Sequence, residues 1–268
     1  MRYIVDNDLH IHTYLSPCSQ DIAQTPENIL KYALKNSFKN ICITDHYWDS
    51  KVPGASTFLA KLDTALLKKA LPLPKAEGVR FMFGCETELD KHGNLAIHRD
   101  TCDEFDFIVI PINHFHMEGF TLPEEDFNNV PSIAKRWVER FEYVLGQDLP
   151  FHKVGLAHLG CELMVTSSRE GHLEVLDMIK DEDYVRLFSK AAKAGVGIEL
   201  NFETFFEYSE SQLERLMRPF RFAKSVGCKF YFGSDAHHPS DFERAKEKFE
   251  KTVDLLDLTE NDKFRVGE

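Results

Sequence analysis

Cationic side chains are in short supply. Lys and Arg total 32 against 44 Asp and Glu, a formal charge of −12 at pH 7. A surface of that sign repels phosphate backbones, so a protein that coats nucleic-acid polymers is disfavoured. Long apolar runs are missing as well. The longest, around 107–112, falls far short of the ~20 residues of a membrane-spanning helix. The opening Met-Arg-Tyr-Ile-Val-Asp-Asn-Asp carries no apolar signal stretch. Six cysteines are scattered without a Cys-x-x-Cys pair, which argues against a zinc knot or a disulfide framework and for a reducing cytoplasm. No Gly-x-Gly-x-x-Gly follows the first strand, so the usual sign of a dinucleotide fold is missing. No Gly-x-Ser-x-Gly supplies a serine nucleophile. Repeats, low-complexity tracts and Gly/Ser linkers are lacking too, and the 268 residues are expected to form one domain, 1–268.

What is present is an alternation of short apolar runs with amphipathic stretches. Seven segments read as strands: 8–12, 39–44, 79–84, 106–111, 153–157, 196–200 and 229–232. Between them Thr25-Pro26 opens a helix to residue 37 with Ile29, Leu30, Ala33 and Leu34 on one face. Residues 57–70 are helical in pattern, and Pro131 leads a helix over 131–146. Residues 183–194 form another, stopped by Gly195. Ser211-x-x-Glu214 and Ser240-x-x-Glu243 read as capping boxes for the last two helices. Strand–helix alternation implies parallel strands in an α/β layering, and the length suits a closed or distorted barrel better than an open sheet.

The twelve histidines are placed pointedly. His10 and His12 are two apart in a strand and share a face, with Ile11 opposite. His46, Glu86, His114 and His158 follow strands two to five, Glu199 ends the sixth, and Asp235 and His237 follow the last. Every strand therefore ends in a residue able to bind a metal. The C-terminal ends of parallel strands lie on one rim, where such folds place their chemistry. Imidazoles mixed with carboxylates suit zinc, iron or manganese, and a set this large points to more than one ion.

His10-x-His12, Thr44-Asp45-His46, Gly84-Cys85-Glu86, Asn113-His114, Ala157-His158 and Gly233-Ser234-Asp235-Ala236-His237 resemble, in order and spacing, the motif series of the PHP (polymerase and histidinol phosphatase) family. The resemblance covers 8–238. It implies a distorted (β/α)7 barrel with two or three divalent metals at the strand ends. Carried over, His10, His12, Glu86 and Asp235 hold the first metal. Glu86 bridges to a second held by His114 and His158, and His46 and His237 serve a third. Where many relatives have a further histidine for that third site, this chain has Cys18.

A metal-activated hydroxide would then hydrolyse a small phosphomonoester, with Asp235 or His237 passing a proton to the leaving alkoxide. The long segment between His114 and His158 resembles that of stand-alone histidinol phosphatases, so histidinol phosphate is the first substrate to consider. The alternatives are hydrolysis of another phosphate ester or an amide, and a non-catalytic metal-binding module.

Around this set, His116 is a candidate substrate contact. Arg169 ranks ahead of Arg99, Arg136 and Arg140 as a phosphate-binding cation. Glu88 shares a face with Glu86 and either reaches the site or faces solvent. Asp45 and Asp8 are candidates to orient His46 and His10. His238 should point away, and His92, His98, His152 and His172 read as surface residues. Cys42, Cys85 and Cys228 read as small buried hydrophobes.

Overall fold

The computed structural model describes residues 1–201 and 205–268. Strand β1 (Asn7–Ile11) leads into α1 (Pro26–Asn36), whose Thr25 side chain caps the Asn28 amide with Pro26 in the first turn, as predicted. Strands β2 (Asn40–Ile43) and β3 (His46–Tyr47) follow, then a short helix α2 (Thr64–Leu67) and β4 (Arg80–Thr87). Next come β5 (Phe107–Pro111), α3 (Val130–Leu145), β6 (Val154–Ala157), α4 (Gly171–Met178), α5 (Asp181–Ala194) and β7 (Gly197–Leu200). The chain ends with α6 (Glu210–Ser225), β8 (Lys229–Phe232) and α7 (Ala245–Leu256).

All strand pairs are parallel, in the order β1-β2-β4-β5-β6-β7-β8, with β3 on β4. The sheet is drawn closed where the segment after β8 meets β1: Ala236 bridges Ile11, the His12 amide donates to Ala236 (3.0 Å) and the Asp235 amide to His10 (2.8 Å). This is the expected seven-stranded barrel, with β3 as an extra two-residue strand.

Alternation along each strand sorts the core. Phe107, Val109, Met82, Cys42 and Tyr231 fill the barrel interior, which Phe264 and Val266 plug from the C-terminal tail. Ile108, Ile110, Phe230 and Phe232 face the helix layer. The interior is crowded enough that Gly155 has no alternative: a Cβ there would lie 2.4 Å from the Tyr231 hydroxyl.

Several expectations need correction. Strand β4 runs through Glu86 rather than ending before it, because β3 pairs with its extension, His46 beside Glu86. Residues 57–70 are no single helix. The Asp63 side chain caps the Leu66 amide and breaks the run into α2 flanked by 3-10 turns, while Leu59 and Leu62 sit with Trp48 and Ala96 in a small satellite core. Helix α6 is capped by the Ser209–Gln212 box, two residues earlier than Ser211–Glu214. Ser240 lies in a 3-10 turn, and α7 begins only at Ala245. Helix α4 has no counterpart in the sequence reading, and α5 starts two residues earlier than predicted.

Candidate metal centre

Glu86 is the hub. Its carboxylate, 1% exposed, faces five imidazoles: His46 Nδ1 at 2.8 Å, His158 Nε2 at 3.2 Å, His10 Nε2 at 3.4 Å, His12 Nε2 at 3.5 Å and His114 Nε2 at 3.6 Å. Asp235 closes the ring, with Oδ1 2.9 Å from His12 Nε2 and 3.4 Å from His10 Nε2. Two of these ligand candidates sit on left-handed backbone, His158 at φ 63° and Asp235 at φ 55°. Each such non-glycine turn costs about 1–3 kcal/mol, a cost that functional sites characteristically carry.

The fixed hydrogen bonds tell which ring nitrogen faces inward. His10 Nδ1 lies 2.6 Å from Glu199 Oε1, His114 Nδ1 lies 2.8 Å from Glu88 Oε2, and His12 Nδ1 lies 2.9 Å from the Ser16 hydroxyl. Ser16 in turn donates to Asp45 at 2.7 Å. With Nδ1 taken, Nε2 is left to turn toward Glu86 and Asp235. The Nε2 atoms of His10 and His12, Oε2 of Glu86 and Oδ1 of Asp235 are buried and, though they approach one another to 2.9–3.5 Å, make no aligned hydrogen bond. Buried polar atoms are rarely left so, and lone pairs converging from imidazole and carboxylate are what a divalent transition metal takes. Donor atoms lie within 4.8 Å of one another in four groups: His10–His12–Glu86, His10–His158–Asp235, Glu86–His114–His158 and His12–His46–His237. The residues fit the metals.

Charge bears this out. Burial alone would strip His10 of its proton, but Glu199, Asp235 and Glu86 outweigh it and raise the ring to about 10. Burial favours the neutral acid at Glu86, yet His46, His10 and His114 hold it well below the usual carboxylate range. His46 and His158 are likewise raised against burial by their carboxylate neighbours. Protons thus stand where cations would. At pH 7 metal uptake should therefore expel protons, and affinity should rise with pH as His10, raised to about 10, and His237, raised to about 9, give theirs up. Calorimetric titration of metal-stripped protein in two buffers of different ionisation enthalpy measures the protons released; none released, or affinity falling with pH, would refute it.

The other candidates divide. His116 lines the cleft above Glu86, its pKa lowered to about 3 by burial and by His114. His237 lines it too, with Nδ1 2.7 Å from the Asp235 carbonyl. Cys18 faces His46 and His237, and its hydrogen bonds to them overcome burial to lower the thiol to about 7. Arg169 does not reach the cleft; it makes an exposed pair with Glu207 (2.6 Å). Arg136 pairs with Asp126, and Arg99 lies 4.0 Å from Asp148. Arg140 is buried over the Phe115 ring, donating to the carbonyls of Thr121 and Asp90. It holds the loop that carries His114 and His116 and does not touch the cleft. Among the described residues the cleft's cationic amine is Lys248.

Glu88 is buried against His114 rather than solvent-facing. Asp8 accepts from Tyr32 and the Ser234 amide, leaving Glu199 to orient His10. A carboxylate inside the apolar Gly-Ile-Glu-Leu strand was the available signal, since a buried charge needs a partner. His172 is fully buried, 2.8 Å from the Tyr208 hydroxyl, rather than on the surface. His238 lines the outer cleft with Nδ1 3.7 Å from Asp21, and His92, His98 and His152 are exposed as expected.

A barrel with imidazoles and carboxylates converging at its strand ends defines a class of metal-binding protein, and the comparisons name it. The PHP domain profile matches residues 8–203, and the chain belongs to the PHP domain family. The Asp235–His237 motif lies beyond the matched segment, yet the fold brings it to the same centre. A probable phosphatase of Caldicellulosiruptor bescii is 23% identical over 240 residues, 89% of this chain and 82% of that protein. One of Thermoanaerobacter sp. is 25% identical over 258 residues, 95% and 87% respectively. Among solved structures, histidinol phosphate phosphatase of Lactococcus lactis, complexed with zinc, L-histidinol and phosphate, superposes with TM-score 0.56 at 15% identity, covering 92% of this chain and 93% of that one. A putative histidinol phosphatase of Listeria monocytogenes gives TM-score 0.57 at 15% identity, over 91% and 99%. At such identities these structures speak to the fold.

Proposed function

We propose that this chain is a divalent-metal-dependent phosphatase acting on a small phosphomonoester, with histidinol phosphate the first named substrate. The observation that carries it is the convergence of eight side chains: His46, Glu86, His114, His158, Asp235 and His237 line a cleft of about 770 Å³, and His10 and His12 are buried against Glu86 and Asp235. That volume suits a metabolite. The similar proteins are described as phosphatases, and no described helix is long and apolar enough to cross a membrane. The six cysteines, all free, suit the reducing cytoplasm we propose as its compartment.

Two or three divalent ions of zinc, iron or manganese would supply Lewis acidity, activating water and neutralising phosphoryl charge. The first would use His10, His12, Glu86 and Asp235, the second Glu86, His114 and His158, and the third His46 and His237 with His12 adjacent. The chain's own residues do the rest. Asp235 or His237 would take up the proton given off by the attacking water and pass it to the leaving alkoxide. His116, neutral at pH 7, lines the wall above them as a substrate contact. Arg169 has no part in substrate binding, being paired with Glu207 outside the cleft.

A phosphate-release screen over a metabolite panel, with added Mn²⁺ or Zn²⁺, tests the reading. Histidinol phosphate should be cleaved with kcat/KM above ~10⁴ M⁻¹s⁻¹. Faster turnover of nucleotides or sugar phosphates would replace the substrate, and release from no ester by metal-loaded protein would overturn the phosphatase assignment. For the third site, His46 and His237 supply two imidazoles beside His12, and water would complete the set. Cys18→Ser should therefore keep the parent's metal count by elemental analysis; loss of one ion would make the thiolate a ligand.

A further inference from the structure

We propose that Glu199 is a positioning residue that couples the first two metal sites, each of its carboxylate oxygens holding one ligand of a different ion. The inference rests on the metal centre described above. Glu199 lies in β7, 1% exposed. Its Oε1 is 2.6 Å from His10 Nδ1, and its Oε2 accepts the backbone N–H of His158 at 3.0 Å. His10 belongs to the first site and His158 to the second.

The two contacts act differently. A carboxylate oxygen can only accept, so Oε1 requires the ring proton on Nδ1 and leaves Nε2 of His10 with its lone pair toward Glu86 and Asp235. Oε2 works through backbone: it captures the amide of His158, the residue whose φ of 63° turns the ring back over Glu86. Glu88 holds the ring of His114 alone, whereas Ser16 holds the ring of His12 and accepts the His46 amide at 3.3 Å, linking the first site to the third rather than to the second. Gly233 is part of the device. A Cβ there would stand 2.3 Å from Glu199 Oε1 and 2.6 Å from His10 Cβ, so only glycine leaves room for the pair.

Glu199→Gln separates this role from simple packing, because an amide has one acceptor where the carboxylate has two. With its oxygen on the His158 amide, its NH₂ confronts His10 Nδ1 and drives the ring proton to Nε2, the nitrogen facing the ion. Turned round, the NH₂ meets the His158 N–H, donor against donor. Calorimetric titration with Zn²⁺ or Mn²⁺ should show both high-affinity ions weakened about 10–100-fold in stripped Glu199→Ala, which has neither acceptor, and in Glu199→Gln the ion whose ligand its NH₂ meets. Glu88→Gln should weaken one ion, and Glu199→Asp, which keeps two acceptors, should recover part of the loss at both.

Wild-type affinities in Glu199→Gln, or weakening confined to one ion in Glu199→Ala, would overturn the proposal. If that variant does not fold, Glu199→Asp decides: parallel weakening of both ions supports the coupling, and loss of neither or of one alone refutes it. The titration reads no phosphate release. A protein that binds both ions tightly yet cleaves no ester would sink the phosphatase reading and leave this one standing.

Discussion

Replacing Glu86 by alanine should lower phosphatase turnover at least ~10³-fold, about 4 kcal/mol of transition-state stabilisation at 1.36 kcal/mol per decade. The same variant should lose the first two ions together. Its carboxylate is the one acid that faces His10, His12, His46, His114 and His158 at once. The rings it leaves behind can each shed a proton, so the barrel should still form and the loss should read as chemistry rather than unfolding. Elemental analysis after dialysis, beside kcat on the best substrate, measures both. A Glu86→Ala protein that kept its metals and its turnover would remove the bridging role.

Gly233→Ala should be nearly as damaging for one added methyl group. Overpacking a dense interior typically costs about 1–3 kcal/mol, and here the methyl meets the Glu199 carboxylate and the stem of His10, neither free to retreat. Metal affinity should fall along with stability. Gly155→Ala provides the contrast, since its methyl would strike the Tyr231 ring in the barrel interior and touch no ligand. Urea midpoints and metal titrations on the two variants should show stability lost in both and metal affinity lost mainly in Gly233→Ala. Equal metal affinity in the two would show that the space beside Glu199 is unimportant.

The ligand set was legible because parallel strands place their C-terminal ends on one rim, so a histidine or acid at each end is enough to foresee where it will lie. Orientation was not legible in the same way. Whether Glu88 reaches solvent or His114 depends on how the chain turns just past β4, and whether Asp8 or Glu199 holds His10 depends on side-chain direction about β1, whose register shifts between Asp8 and Ile11. The cationic candidates failed for a related reason. Arg136 and Arg140 sit one turn apart on α3, but Arg140 turns inward over Phe115 and Arg136 outward to Asp126, a difference set by tertiary packing that spacing does not encode. The Ser211 and Ser240 boxes show the limit of local motifs: Ser209 with Gln212 offered an equally good cap nearer the start of α6.

The closure of the barrel bears on how the protein comes to life. His10 lies in the first strand and Asp235 just past the last, and the hydroxyl of Ser234 is within reach of a carbonyl 224 positions earlier in the chain. Contacts so distant in sequence form late, after the loop-closure entropy of the whole chain has been met. A nascent chain leaving the ribosome therefore carries His10, His12 and Glu86 long before it owns a complete pocket for an ion. Metal loading becomes a seal on finished folding, and scarcity of metal should show itself in the cell as intact, soluble but idle protein rather than as chains that never matured.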